Sequence, residues 1–283
     1  MKKHRIIFTF FFILIIPALL AQGILSYGCN FDKNQKSFSQ LSQDKTLFSF
    51  VVVSDLHLNE KKGIDNFIRF LKQVNEIPEK PDFILVTGDI HVGPFEKILS
   101  ENKFNIPFHV TPGNHEDRQD RDKLAEMFPN DLKEKDFYSF SHKNSFFISL
   151  CTAAVKDHVG HFDSEDIKGQ NQTEWFESEL ACNYNIADHI FIFSHIPPSP
   201  EGVAGNMFLS TNDQKFLRDM VFKYNPSAMF FGHLHQKMNF KIGNTPVYVL
   251  PSLNWNAKNE INGFYIVEVK SSIEIIFSPL NDE

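Results

Sequence analysis

The sequence predicts an α/β protein, a four-layer α/β/β/α sandwich of two mixed sheets with flanking helices. Three observations predict it. Short apolar runs alternate with amphipathic segments through the first half, the pattern of a parallel sheet with crossover helices. A second series of apolar runs follows after residue 136, enough for a second sheet. Five of the runs end abruptly in Asp, Asn or His, and in open α/β sheets the carboxyl ends of strands carry the site.

The elements follow in order. Leu47 to Val53 is continuously apolar apart from Ser49, as strands buried on both faces are. Ile64, Phe67, Ile68, Leu71 and Val74 recur at helical spacing, which predicts a helix over 62–76 that Pro78 and Pro81 stop. Phe83 to Val86 is the next strand, Phe95 to Leu99 a short helix, and Phe108 to Val110 a third strand. Asp120 to Met127 is a helix closed by Pro129. Two β-like runs come next, Phe137 to Ser141 and Ser145 to Leu150, then a polar loop over 152–171 and a helix from Glu174 to Leu180. Ile190 to Phe193 and Ala228 to Phe231 are strands. Between them Phe216, Leu217, Met220 and Val221 mark a helix, with Asn212 or Asp213 as its cap. Strands near 237–242, 246–250, 263–269 and 272–277 complete the chain.

Composition sets the frame. The chain has 283 residues, 42% hydrophobic and 22% charged, an ordinary globular balance for one large domain or two small ones. The 31 Phe residues suit a well-buried core and name no function. The formal charge is -7 and no basic stripe is present, so nucleic-acid binding is not expected, because that affinity rests on Lys and Arg neutralising phosphates.

Residues 1–28 stand apart. Lys2, Lys3 and Arg5 precede an apolar run from Ile6 to Leu20 broken only by Thr9 and Pro17. This is the pattern of an export signal, and removing it leaves the chain more acidic. Extended to Leu25, the run reaches about the minimum of 17–25 residues for a spanning anchor. Cleavage after Ala21 or Gly28, an uncleaved anchor over 6–25, and a lipid on Cys29 are all open. Each places the protein outside the cytoplasm: in the periplasm, secreted or membrane-attached. Cys151 and Cys182 could pair in such a compartment or stand as two separate buried thiols.

The residues at the strand ends carry the chemistry. They are Asp55 and His57, Asp89, Asn114 with His115, His195, and His233 with His235. One such piece after a strand is unremarkable; five converging turns are not. His233 and His235 lie two apart, so on an extended segment they project to one side. Asp, His and Asn offer oxygen and imidazole donors, a set suited to Mn, Fe, Zn or Co ions. Two carboxylates against two divalent ions leave net positive charge, so an acidic chain can still hold a phosphate. Ser194 lacks a nucleophile-elbow context, which argues against a serine hydrolase.

Taken together, Asp55-x-His57, Gly88-Asp89, Gly113-Asn114-His115-Glu116, His195 and Gly232-His233-x-His235 resemble the five blocks of the calcineurin-like metallophosphoesterases. The resemblance spans about residues 47–255 and implies a metallophosphoesterase domain over 45–280. It further implies that one metal takes Asp55, His57 and His235, and the other Asn114, His195 and His233. Asp89 bridges the two, and Asn114 and His115 contact substrate. His115 is the catalytic candidate, as acid or phosphate contact, oriented by Glu116 or Asp55. The implied reaction is hydrolysis of phosphomono- or phosphodiesters by metal-activated water, with a phosphate-ester small molecule as substrate.

Departures from the pattern narrow the branch. Val92 stands where the purple acid phosphatases have Tyr, and Asp89 leads into Ile90-His91-Val92-Gly93 without the second Asp and Arg of the protein phosphatases. The exported cyclic-nucleotide-phosphodiesterase-like and acid-phosphatase-like branches remain. Two other readings compete: a non-catalytic scaffold of the same fold, and a nucleotide or pyrophosphate hydrolase using the same ions. His91 and His109 read as structural or solvent-facing, His158 and His161 as surface-loop residues, and Trp175 and Phe176 as core.

Overall fold

The computed structural model describes residues 46–102 and 104–281. The proposed signal, anchor and lipid-bearing Cys29 lie outside the described residues. Among those residues no helix is long and apolar enough to cross a membrane.

The first sheet is built from β1 (Phe48–Val53), β2 (Phe83–Thr87) and β3 (Phe108–Thr111), paired in parallel. Two late strands, β10 (Gly263–Val269) and β11 (Ile273–Pro279), add antiparallel to the free side of β1, giving the order β11-β10-β1-β2-β3. The crossovers are α1 (Lys61–Asn75) and α2 (Val92–Asn102), and α3 (Arg118–Met127) with α4 (Pro129–Leu132) leads out of β3.

The second sheet comprises β4 (Tyr138–His142), β5 (Ser145–Ser149), β6 (His189–Phe193), β7 (Ala228–Phe231), β8 (Met238–Ile242) and β9 (Thr245–Val249), in the order β4-β5-β6-β7-β9-β8. Its inner strands are parallel and its edge strands β4 and β8 antiparallel. The crossovers are α5 (Gln172–Asn183) and α6 (Thr211–Tyr224). Both sheets are therefore mixed, as the sequence predicts.

The core explains the phenylalanines. Phe50 of β1 meets Phe147 of β5 and Phe191 of β6 edge-on, each at 5.2 Å between ring centroids. Such T-shaped pairs place ring edges against ring faces. One apolar cluster fills the space between the sheets and continues through Phe67, Phe70 and Phe95 under α1 and α2. A second packs Phe176, Leu180, Leu217 and Val221 of α5 and α6 onto the outer face of the second sheet. The layers run α/β/β/α.

Several boundaries differ from the sequence reading. α2 begins at Val92 and is longer than Phe95 to Leu99, because Gly93 and Pro94 occupy its first turn, where proline is tolerated. α3 ends at Met127 as expected, with Phe128 before Pro129 outside the helical region, but it starts earlier, at Arg118, and Pro129 also opens α4 at the first helical position. The cap of α6 is Ser210, whose Oγ accepts from the Asp213 N–H, so Asp213 is an interior partner of the cap. Cys151 is a buried free thiol, so the Cys151–Cys182 pairing is not formed.

Candidate metal centre

Parallel pairing puts the carboxyl ends of β1, β2 and β3 side by side, and those of β6 and β7 likewise. The turns after them interlock. Asp55 N–H donates to the Gly88 carbonyl at 3.2 Å, and His57 N–H to the Asp89 carbonyl at 3.0 Å. Gly232 N–H donates to the His195 carbonyl at 2.9 Å. His195 then ties the two sheets together, its Nδ1 lying 2.7 Å from the Thr87 carbonyl oxygen. That bond leaves Nε2 as the nitrogen aimed into the site.

The glycines of the blocks are needed for close approach. A Cβ on Gly113 would meet the Asp89 carboxylate and lie 2.5 Å from Asp89 N. A Cβ on Gly232 would run into Ser54 Oγ and the Asp55 carboxylate. Each glycine lets one turn pass directly against a carboxylate held by another.

Asp55, His57, Asp89 and His235 form one compact group of buried donors, with ligand atoms all within 4.8 Å of one another. His57 Nε2 and His235 Nε2 face each other at 3.0 Å. His235 Nε2 is 3.2 Å from Asp55 Oδ1, and His57 Nε2 is 3.6 Å from Asp89 Oδ2. The other Asp89 oxygen, Oδ1, lies 3.3 Å from His195 Nε2. The carboxylate of Asp89 thus straddles two sets of donors. In the second set, His195 Nε2 is 3.1 Å from Asn114 Oδ1. His233 is drawn in less tightly. Its ring is 5.1 Å from that of His195, but its Nε2 lies 3.2 Å from the His158 carbonyl oxygen.

The electrostatics favour a cation. Burial raises the Asp55 pKa, but the adjoining His235 outweighs it and brings the group to about 2. Burial of Asp89 is likewise outweighed, chiefly by His195, and its pKa falls well below the carboxylate range. Burial lowers His57 to about 4 despite Asp55 and Asp89. Burial and the charge of His195 lower His233 to about 3. The carboxylates are therefore ionised and these two imidazoles neutral, the states that bind metal. Burial opposes the charge of His195 too, but Asp89 reverses this and raises it to about 9. The ion pairs of Asp55 and Asp89 among the described residues are with histidines, not with Lys or Arg. Buried carboxylates, imidazole nitrogens in mutual contact and an amide oxygen are a donor set that fits divalent ions such as Mn²⁺, Fe²⁺ or Zn²⁺.

His115 sits at the open side. Its side chain is 49% exposed and its Nε2 is 3.9 Å from Asp89 Oδ2. Glu116 does not orient it. The buried Glu116 carboxylate accepts from Asp89 N–H at 3.0 Å, Ile90 N–H at 2.8 Å, His91 N–H at 3.1 Å and Gly113 N–H at 2.8 Å. It pins the second block to the third. Asp55 does not orient His115 either, because its carboxylate is committed to His235 and to the His233 N–H.

Three residues have a larger part than the sequence suggests. Arg121 is buried; it donates to the carbonyls of Glu116, Gly113 and Ala153 and pairs with Asp136. Its place in a charged helical stretch reads as solvated surface. His91 packs 5.7 Å from His57 and 6.1 Å from His115, ring centroid to ring centroid, and its buried Nδ1 has no hydrogen-bond partner among the described residues. Trp255, outside every block, lies 4.2 Å from His235. By contrast His109 is structural, bonded to Asp131 at 2.7 Å and stacked on Phe140. His161 stays in the loop beside Asp213.

The chain is 25% identical to a probable cyclic nucleotide phosphodiesterase of Vesicomyosocius okutanii over 75% of this chain and 89% of that one. It is also 25% identical to a probable glycerophosphodiester phosphodiesterase of Arcobacter nitrofigilis, over 66% of this chain and 71% of that one. In fold it is similar to a dimetal phosphatase from Danio rerio, with a TM-score of 0.66, 15% identity, and coverage of 84% and 98% of the two chains. Residues 48–237 match the calcineurin-like phosphoesterase family, and the chain belongs to that family of metal-dependent phosphoric ester hydrolases.

Proposed function

We propose that the protein hydrolyses phosphodiesters with two divalent ions, one held by Asp55, His57 and His235, the other by Asn114, His195 and His233. Asp89, whose two oxygens face both groups of donors, would contribute to each. The observation that carries this reading is the position of the Asp89 carboxylate, with Oδ2 toward His57 and Oδ1 toward His195. The ions, when bound, supply positive charge for the phosphate oxygens and activate water for in-line attack at phosphorus.

The chain's own residues do the rest. Asp55 and Asp89 stay ionised beneath the site, and the neutral imidazoles of His57 and His233 present lone pairs. His115, exposed beside Asp89, reaches toward solvent where a substrate arrives and donates its proton to the leaving oxygen. Asn114 offers its amide to a phosphate oxygen as well as to the ion. The preference for diesters over monoesters is supported by the names of the two relatives above.

The test is hydrolysis of bis(nitrophenyl) phosphate by the metal-reconstituted protein, with Asp89→Asn as the variant. The expected outcome is loss of bound metal and a fall in turnover of at least about 100-fold. Two ions retained with activity near wild type would overturn the bridging role. A wild type that binds metal and cleaves no ester would favour the scaffold reading.

A further inference from the structure

Trp255 is 51% exposed, whereas the other tryptophan, Trp175, is buried in the core. Its ring is tilted by 55° against His235, with 4.2 Å between centroids. An exposed Trp on a surface loop needs no explanation of its own. What distinguishes this one is that its loop is fastened to the metal centre on both sides.

Before Trp255, Ser252 Oγ donates to the Asp55 carbonyl at 2.8 Å and Leu253 N–H to the Ser54 carbonyl at 3.2 Å. Asn254 Nδ2 donates to Glu60 Oε2 at 3.0 Å. After it, Asn256 Oδ1 accepts from the Ser252 N–H at 2.7 Å and Ala257 N–H donates to the His235 carbonyl at 2.8 Å. The loop is thus tied down on both sides of Trp255, its indole packs against His235, and half of the residue faces water. The exposed half of that aromatic surface contributes nothing by burial. A ligand that covers the ring recovers that free energy.

We propose that Trp255 is a stacking platform for a planar aromatic group on the substrate, and that it sets a preference for nucleotide esters over aliphatic ones. The inference rests on the phosphoesterase reading above and adds the substrate class. A nucleobase is joined to its phosphate through a sugar, so its platform belongs beside the ions and not among them, as Trp255 is beside His235. Base–aromatic stacking needs only a π-face and tolerates any base, so the platform selects nucleotides as a class.

The metal-reconstituted full chain tests this with two diesters, a cyclic nucleotide and glycerophosphoethanolamine. In Trp255→Ala the ratio of kcat/KM for the nucleotide to that for the aliphatic ester should fall about 5- to 150-fold, mainly through KM. Trp255→Phe should recover most of that ratio. An equal loss on both esters would show that Trp255 only props His235 and would overturn the proposal. Tryptophan fluorescence gives a readout independent of turnover, because Trp175 is a buried, constant background. Adenosine monophosphate should quench the wild-type emission and glycerol phosphate at the same concentration should not; equal effects would overturn the platform. The two readings fail separately. Absence of hydrolysis of either diester removes the phosphodiesterase function, and the difference in quenching still decides the role of Trp255.

Discussion

Glu116 makes a sharp experiment because both of its oxygens are used twice. Oε1 accepts from Ile90 N–H at 2.8 Å and His91 N–H at 3.1 Å. Oε2 accepts from Gly113 N–H at 2.8 Å and Asp89 N–H at 3.0 Å. Burial and the nearby Asp89 charge push the Glu116 pKa up, while the N–H donors favour the ionised form. Four converging donors leave no acceptor for an acid proton, so the geometry assigns a carboxylate. Glu116→Gln keeps the shape and replaces one oxygen with an NH₂. Whichever way the amide turns, it faces two N–H donors and leaves both unsatisfied in a buried site. At about 1–3 kcal/mol for each orphaned donor, the loss is about 2–6 kcal/mol. In a domain of this size that lowers Tm by roughly 5–20 °C. The assay is urea denaturation of the chelator-treated protein, followed by metal titration, in which affinity should fall about 10- to 100-fold as the Asp89 turn loosens. Unfolding free energy within about 0.5 kcal/mol of wild type, with metal affinity preserved, would refute the carboxylate assignment and the pinning role together.

Three further outcomes follow from the same geometry. His115→Ala should lose about 10²–10⁴-fold on alkyl phosphate esters and far less on nitrophenyl esters, which leave without a proton, with wild type and variant both checked for metal content; equal losses would leave His115 an electrostatic role only. Cys151 is buried and its thiol is pushed up to about 11 by that burial, so mass mapping should find it unreactive to iodoacetamide at pH 8 until the protein is unfolded. The iron-loaded protein should lack a tyrosinate-to-iron visible band, because Val92 occupies the position of the purple branch's Tyr; a Tyr-dependent colour would show that the blocks are misaligned.

The sheets and the convergence of the strand-end residues are legible in the sequence because each rests on a local signal with a long-range consequence. An apolar run such as Leu47 to Val53 must be buried, and a Gly-Asp or Gly-Asn-His that follows it must lie at a strand end. Parallel pairing then gathers the ends of β1, β2 and β3 without further instruction. The supporting residues were illegible for the converse reason. Arg121 is surrounded in sequence by Arg118, Asp120, Asp122 and Lys123, so nothing local separates it from a solvated face. Its burial is decided by the carbonyls of Gly113 and Ala153, to which it donates and which lie up to 32 positions away. In sequence Glu116 reads as a partner of its neighbour His115, although three of its four donors are the N–H groups of Asp89, Ile90 and His91, some 25 positions away. The cap of α6 shifted from Asn212 or Asp213 to Ser210 because Asp213 supplies the N–H that Ser210 Oγ accepts.

Backbone conformation adds a reason why these turns need what they are built to bind. Asp55, His57, Asp89, His91, His233 and His235 all have positive φ, between 44° and 70°. L-residues other than Gly, Asn and Asp enter this left-handed region at a cost, of order 1–3 kcal/mol each where the conformation is imposed. Glycine at His57, His233 or His235 would relieve that strain and remove a proposed ligand. The chain instead keeps side chains there, so that donors two apart, as in Asp55-x-His57 and His233-x-His235, turn toward one point. Asp55 and Asp89 also repel each other, and among the described residues only histidines, no lysine or arginine, offset that repulsion. A divalent ion offsets both terms at once, since it neutralises the carboxylates and fixes the turns that present them. On this account the centre is the part of the fold whose stability depends most on a bound cation, while the phenylalanine core between the sheets, with Phe50 against Phe147 and Phe191, supplies the scaffold that makes such turns affordable.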